Sequence, residues 1–241
     1  MRFLLTAFGQ DLPCFLHGIN TIIGKTIPFP AVKTALSKNT KIVTFFNSSH
    51  YWSGQLEKTS KDHGVTRSMV LYTTSRFYAL VLHCLSLQEH LYVDAFFHQL
   101  TDKLMTFISD PLQSICIRKD AMRPQGGLSP VNKDVIETVV MNKDHWDLNQ
   151  QIIDICKPLV DIIGNVESRD ANLADCMVEL IDAYRCILNL DIQETYNIEF
   201  YNHAVHVLMK EFHSINSPLR WFALFLHPLC RNLAISSATP S

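Results

Sequence analysis

NLADCMVELIDAYRCILNL, residues Asn172–Leu190, decides the class of fold. Its apolar residues Leu173, Met177, Leu180, Ile181, Tyr184, Ile187 and Leu188 recur at three- and four-residue intervals. That is the period of a helix with one buried face, and it has no room for the two-residue alternation of a strand. The same period runs outward in both directions. Upstream it predicts helices over 75–87, 90–108, 132–141 and 144–166, and downstream over 198–212 and 219–234. Asp170 ahead of one helix and Ser217-Pro218 ahead of the last are start signals.

The first third is more broken. A helix is predicted over 13–27, ended by Pro28 and Pro30. Shorter ones follow over 31–36 and 41–47, separated at Asn39, and another over 51–63, for which Gly64 is the natural stop. Two stretches read as strands, FLLTAF (3–8) and RSMVLY (67–72), and RPQGGLSP (123–130) is the clearest loop. The expectation is a mainly α chain with a few strands near its start. Its division falls near residue 85, giving segments 1–85 and 86–241.

Composition narrows the function classes. Of 241 residues 47% are apolar and 18% charged, which excludes a disordered chain. The seven cysteines are scattered and never spaced Cys-x-x-Cys, so neither a disulfide framework nor a zinc ribbon is expected. No stretch approaches the ~20 apolar residues of a membrane span, and the opening apolar run stops at Gln10 and Asp11 without a cleavage site. A soluble protein of the cytoplasm or nucleus, neither secreted nor membrane-bound, is the expectation.

The net charge of −2 hides an asymmetry. Residues 1–80 hold nine Lys/Arg against three Asp/Glu, whereas residues 81–241 hold twelve against twenty. A basic segment on an acidic body attracts phosphate backbones or acidic partners. Alternatively, the two parts neutralise each other.

Motifs for self-sufficient chemistry are missing: no Gly-rich phosphate loop, no Gly-x-Ser-x-Gly elbow, no His-Glu-x-x-His, no EF-hand loop. Four segments carry a different signal. They are Cys14-Phe-Leu-His17 with GINTIIGKTI behind it, TFFNSSHYW (44–52), TTSRFY (73–78) and ALFLHPLCR (223–231). In this order and spacing they resemble the middle and later part of hAT-family transposases, nearest to fungal sequences with a DUF659-type region. The resemblance spans almost the whole chain.

The resemblance implies a partial ribonuclease H-like α/β core interrupted by an all-helical insertion, with the Cys-x-x-His helix beside the active site. It aligns Ser75-Arg76-Phe77 with the family's Thr-Arg-Trp motif, whose Trp stacks on a base flipped out of the DNA. Phe77 keeps a π-face but offers less area and no indole N–H. Family enzymes cut DNA with three carboxylates that hold two metal ions. Here only Asp11 precedes Cys14, outside the expected context, and no Ser-Glu-Arg segment stands before Ser241. The resemblance therefore implies no catalytic residues, no metal, no cofactor and no enzyme, with a nuclear address.

The candidate nucleic-acid residues are Arg76 and Phe77, with His17, Lys25, Lys33, Lys38 and Lys41 as a DNA-backbone track. Beside each stands a plainer possibility: the lysines as a solvated face, Arg76 in an ion pair, Cys14 and His17 as a buried thiol and a hydrogen-bonded imidazole. Phe45, Phe46, Tyr51, Trp52 and Tyr78 either stack on bases or fill the core. His83, Cys84, His90 and His98 are packing or surface positions. Two functions compete: a catalytically inactive hAT-derived protein with residual DNA binding, and a helical protein-interaction or dimerisation module. A contiguous positive face with Arg76 and the lysines would favour the first; charges dispersed or paired to the acidic helices would favour the second.

Overall fold

A computed structural model describes residues 14–71, 77–91, 110–123, 129–167, 171–215 and 217–227. Of these, 80% are helical and none lies in a strand, so the mainly α class holds. The helices are α1 (Phe15–Thr26), α2 (Pro30–Ser48), α3 (His50–Asp62), α4 (Phe77–Leu91), α5 (Pro111–Cys116) and α6 (Lys119–Met122). They continue with α7 (Lys133–Ile136), a π-helical stretch Glu137–Met141, α8 (Lys143–Val166), α9 (Leu173–Leu188), α10 (Ile198–Ile215) and α11 (Pro218–Leu226). The expected strand FLLTAF, the 92–108 part of the expected helix over 90–108, Asp170, and the end of the last helix beyond His227 lie outside the described residues.

By packing the chain forms two compact units, Met1–Phe29 with Asp154–Ser241, and Pro30–Ile153. Residue 85 lies inside α4, in the second of them. The division redistributes charge. The Pro30–Ile153 unit has thirteen Lys/Arg against eleven Asp/Glu, and the other unit eight against twelve. The basic first third is thus not a body of its own.

In the first unit α1 and α10 pack face to face. Ile19, Ile22 and Ile23 meet a partner face that includes Phe200, Ala204, Leu208 and Ile215, all buried. Phe29 sits 5.5 Å from Phe200 and 5.4 Å from His203. Gly18 sets the close approach. A Cβ there would lie 2.5 Å from Cγ1 and 2.7 Å from Cδ1 of Ile215, which is itself buried. Gly18→Val is therefore expected to destabilise this unit by about 1–3 kcal/mol through overpacking. Chemical denaturation checks it, and adding Ile215→Ala should recover part of the loss. In the same unit α9 packs on α11 through Ala174, Met177 and Leu224, and Asn172 with Asp175 forms a reciprocal capping box at the start of α9.

The second unit is built on Ile42, Val43, Phe46, Trp52, Leu56, Leu87, Leu112, Ile115 and Trp146. Phe46 and Trp52 are core, while Phe45 and Tyr51 are half-buried against it. A polar seam crosses the unit. Asn39 Nδ2 donates to Asn149 Oδ1 at 2.7 Å, and Asn149 Nδ2 donates to Gln88 Oε1 at 2.6 Å and to the Cys84 carbonyl at 3.2 Å. A second tie joins α3 to the turn before α6: Arg118 holds Asp120 through two nitrogens, at 2.9 and 2.6 Å, and Gln55 at 2.7 Å.

Two sequence expectations are corrected here. The break between helices 31–36 and 41–47 does not exist, because α2 runs unbroken from Pro30 to Ser48. Asn39 stays helical since its Nδ2, on a fully buried side chain, donates to Asn149 and not to its own backbone. The strand over 67–72 is also absent in its described part: residues 67–71 are irregular. α4 does the work of a neighbouring strand there. His83 Nδ1 bonds the Val70 carbonyl at 2.6 Å, and Ser86 Oγ accepts from the Val70 N–H at 3.0 Å. Gly64 ends α3 as expected, with φ +79°.

Candidate nucleic-acid interface

α2 is nineteen residues long, with three lysines and no carboxylate. Its inner positions Val32, Ala35, Leu36, Asn39, Ile42, Val43 and Phe46 are buried, which turns Lys33, Thr34, Ser37, Lys41, Thr44, Asn47 and Ser48 to solvent. At 1.5 Å per residue the exposed stripe from Lys33 to Ser48 is about 22 Å long. Thr34 and Ser48 donate their hydroxyls to the helix's own carbonyls at 3.0 and 2.9 Å. Lys33, Ser37, Lys41, Thr44 and Asn47 are the outward donors that remain. Ammonium, hydroxyl and amide donors in one line are the groups that contact phosphate oxygens.

The predicted residues separate in the structure. Lys33, Lys38 and Lys41 come together on α2, with Lys38 half-buried. Lys41 Nζ lies 3.2 Å from Asp134 Oδ2, but both side chains are more than half exposed, so the pair is weak and exchangeable. Lys25 is in the other compact unit and is structural. Its ammonium lies 2.6 Å from Glu211, whose side chain is only 10% exposed, tying α1 to α10. His17 is exposed on α1 in that same unit, and its carbonyl accepts from Thr21 Oγ1. Arg76 lies outside the described residues, and Phe77 is described only as the first residue of α4. Of the other basic residues, Arg67 pairs with Glu89 at 3.1 Å and Lys61 with Glu57 at 2.7 Å.

Sequence reasoning overlooked Ser37, Thr44 and Asn47. The spacing of Lys33, Ser37, Lys41 and Thr44 was legible, but a helix broken at Asn39 hides it.

Of the free cysteines among the described residues, Cys14 and Cys186 are exposed and Cys84, Cys116, Cys156 and Cys176 are buried. Burial pushes the Cys116 and Cys156 thiols up to about 12, leaving them protonated and inert. Among the described residues no group of three or more His, Cys, Asp or Glu side chains could hold a metal ion, and no helix is long and apolar enough to cross a membrane. Fold and face together define a mainly α-helical protein with a cationic face on α2. No family model, curated protein or solved structure matches the chain.

Proposed function

We propose that this chain is a catalytically inactive, hAT-derived protein that touches nucleic-acid backbones through the outer face of α2. In this reading the first segment descends from a ribonuclease H-like core, the remainder from its helical insertion, and the address is nuclear. The observation that carries the contact is the outer face of α2: Lys33 and Lys41 interleaved with Ser37, Thr44 and Asn47, without one carboxylate on the helix. With about two phosphates neutralised, log affinity should fall against log salt with a slope near −1.4 on single strands and nearer −1.8 on duplex. Fluorescence anisotropy over a salt series measures it. Lys33→Glu with Lys41→Glu is expected to abolish binding while leaving the melting temperature within a degree or two. A slope of zero, or binding unchanged in the double variant, removes the reading.

A second reading, a helical protein-interaction module, is favoured by the pairing of Lys25, Lys41 and Arg67 with carboxylates and by an apolar face on α11. Phe222 and Leu226 lie on one face and are 56% and 60% exposed, although the opposite face is already packed on α9. A helix apolar on both sides ordinarily has both covered. A folded protein that ignores nucleic acid at low salt but self-associates until Phe222→Ser and Leu226→Ser are introduced would replace the first reading with this one.

A further inference from the structure

Beside the outer face of α2 lies an open hollow of about 620 Å³, lined by Phe45, Met122, Pro130, Val131, Asn132, Lys133 and Ile136. Its volume falls within the range of small-ligand clefts. Val131 is buried beneath it, its N–H held by the Ala121 carbonyl at 2.8 Å, and Phe45 is half-buried with its ring edge-on to Phe46 at 5.3 Å. Met122 stands 53% exposed. The lining is thus an aromatic ring, a soft thioether and aliphatic carbons.

The rim has a different chemistry. Lys133 is exposed and pairs with no carboxylate among the described residues, and Asn132 Oδ1 accepts from the Asp134 N–H at 2.9 Å, which leaves Nδ2 of that amide as a donor. Lys41 reaches the same rim through its contact with Asp134, the carboxylate that partly offsets the two cations. Phe45 follows Lys41 by one helical turn and Thr44 by one residue, so the phosphate stripe and the hollow adjoin.

We infer that the hollow takes an unstacked nucleobase, so that the nucleic acid held by α2 is single-stranded. This rests on the α2 contact proposed above and specifies its ligand. A strand whose phosphates follow Lys33, Lys41 and Lys133 can turn one base onto Phe45 and Met122, with Asn132 Nδ2 available to a ring or carbonyl acceptor. A base in a duplex is already paired and stacked, and it enters only after being extruded. Aromatic stacking tolerates any base, so the preference is for strandedness and not for sequence.

The test compares anisotropy titrations at low salt of a short oligothymidylate, an abasic deoxyribose-phosphate strand of equal length, and the corresponding duplex. The oligothymidylate should bind about tenfold more tightly than the abasic strand, the increment of one stacked base. Phe45→Leu, which keeps an apolar side chain against the core and is checked by its melting curve, should erase that difference without erasing binding. Equal affinity for the abasic strand and the oligothymidylate overturns the base site while leaving the α2 contact standing, as does a preference that survives in Phe45→Leu. Absence of binding by every probe overturns the α2 contact and the base site with it.

Discussion

Trp52→Ala is expected to lower the stability of the Pro30–Ile153 unit by about 3–5 kcal/mol, the cost of emptying a large aromatic site in a packed core. The indole is 2% exposed. It lies edge-on to Tyr51 at 4.9 Å and beneath the Arg118 guanidinium at 5.9 Å, and its Nε1–H donates to the Ser129 carbonyl at 3.0 Å. These contacts join α3 to the segments on either side of 124–128. A domain holds only about 5–15 kcal/mol in all, so the variant should sit near the edge of folding at ordinary temperature. Trp52→Phe keeps most of the apolar volume and loses the hydrogen bond, so its loss should be smaller. Urea denaturation followed by far-ultraviolet circular dichroism compares them. A melt unchanged by Trp52→Ala would show that the ring is not part of the cooperative core.

Acid is expected to weaken the same unit through His145. The side chain is 4% exposed, and its Nε2 has no hydrogen-bond partner. Burial, and secondarily the charge of Lys38, lower its pKa to about 4 from the ordinary 6.5. Because the folded value lies below the unfolded one, the unfolded chain binds more protons between them. Stability is therefore unaffected above about pH 7, begins to fall as pH drops through 6.5, and has lost about 3 kcal/mol from this group once pH passes 4. His83 and His90 are also buried and have lowered pKa values, desolvation outweighing the Val70 and Ser86 carbonyls they bond, so they act in the same direction. Melting curves from pH 7.5 to 4.5 check this, with His145→Gln alongside. The variant should melt with a clearly flatter pH dependence. Identical slopes in the two proteins would remove His145 from the account.

Local signals reached far into this chain. The starts and ends of α1, α3, α8 and α9 stand within a few residues of their expected places, since each is marked by a helical period with a cap, a Pro or a Gly beside it. Where the expectation failed, a distant side chain had taken over a local duty. Asn39 would break an isolated helix, but Asn149, 110 residues on, accepts from its Nδ2. RSMVLY has the composition of a strand, yet side chains of α4 bond both backbone groups of Val70.

The candidate site shows the same split. That Lys33, Lys38 and Lys41 are cationic candidates is plain in the sequence. That they share a helix with Ser37 and Thr44, while Lys25 is spent on Glu211, depends on contacts between residues far apart in the chain. By itself the sequence determined the helical class and the charge, because these follow from a residue and its near neighbours. Only the tertiary structure decided which amides find distant partners, which lysines face carboxylates, and that Phe45 borders a hollow beside α2. Each of those is set by which groups close packing brings together and which charges it leaves in water.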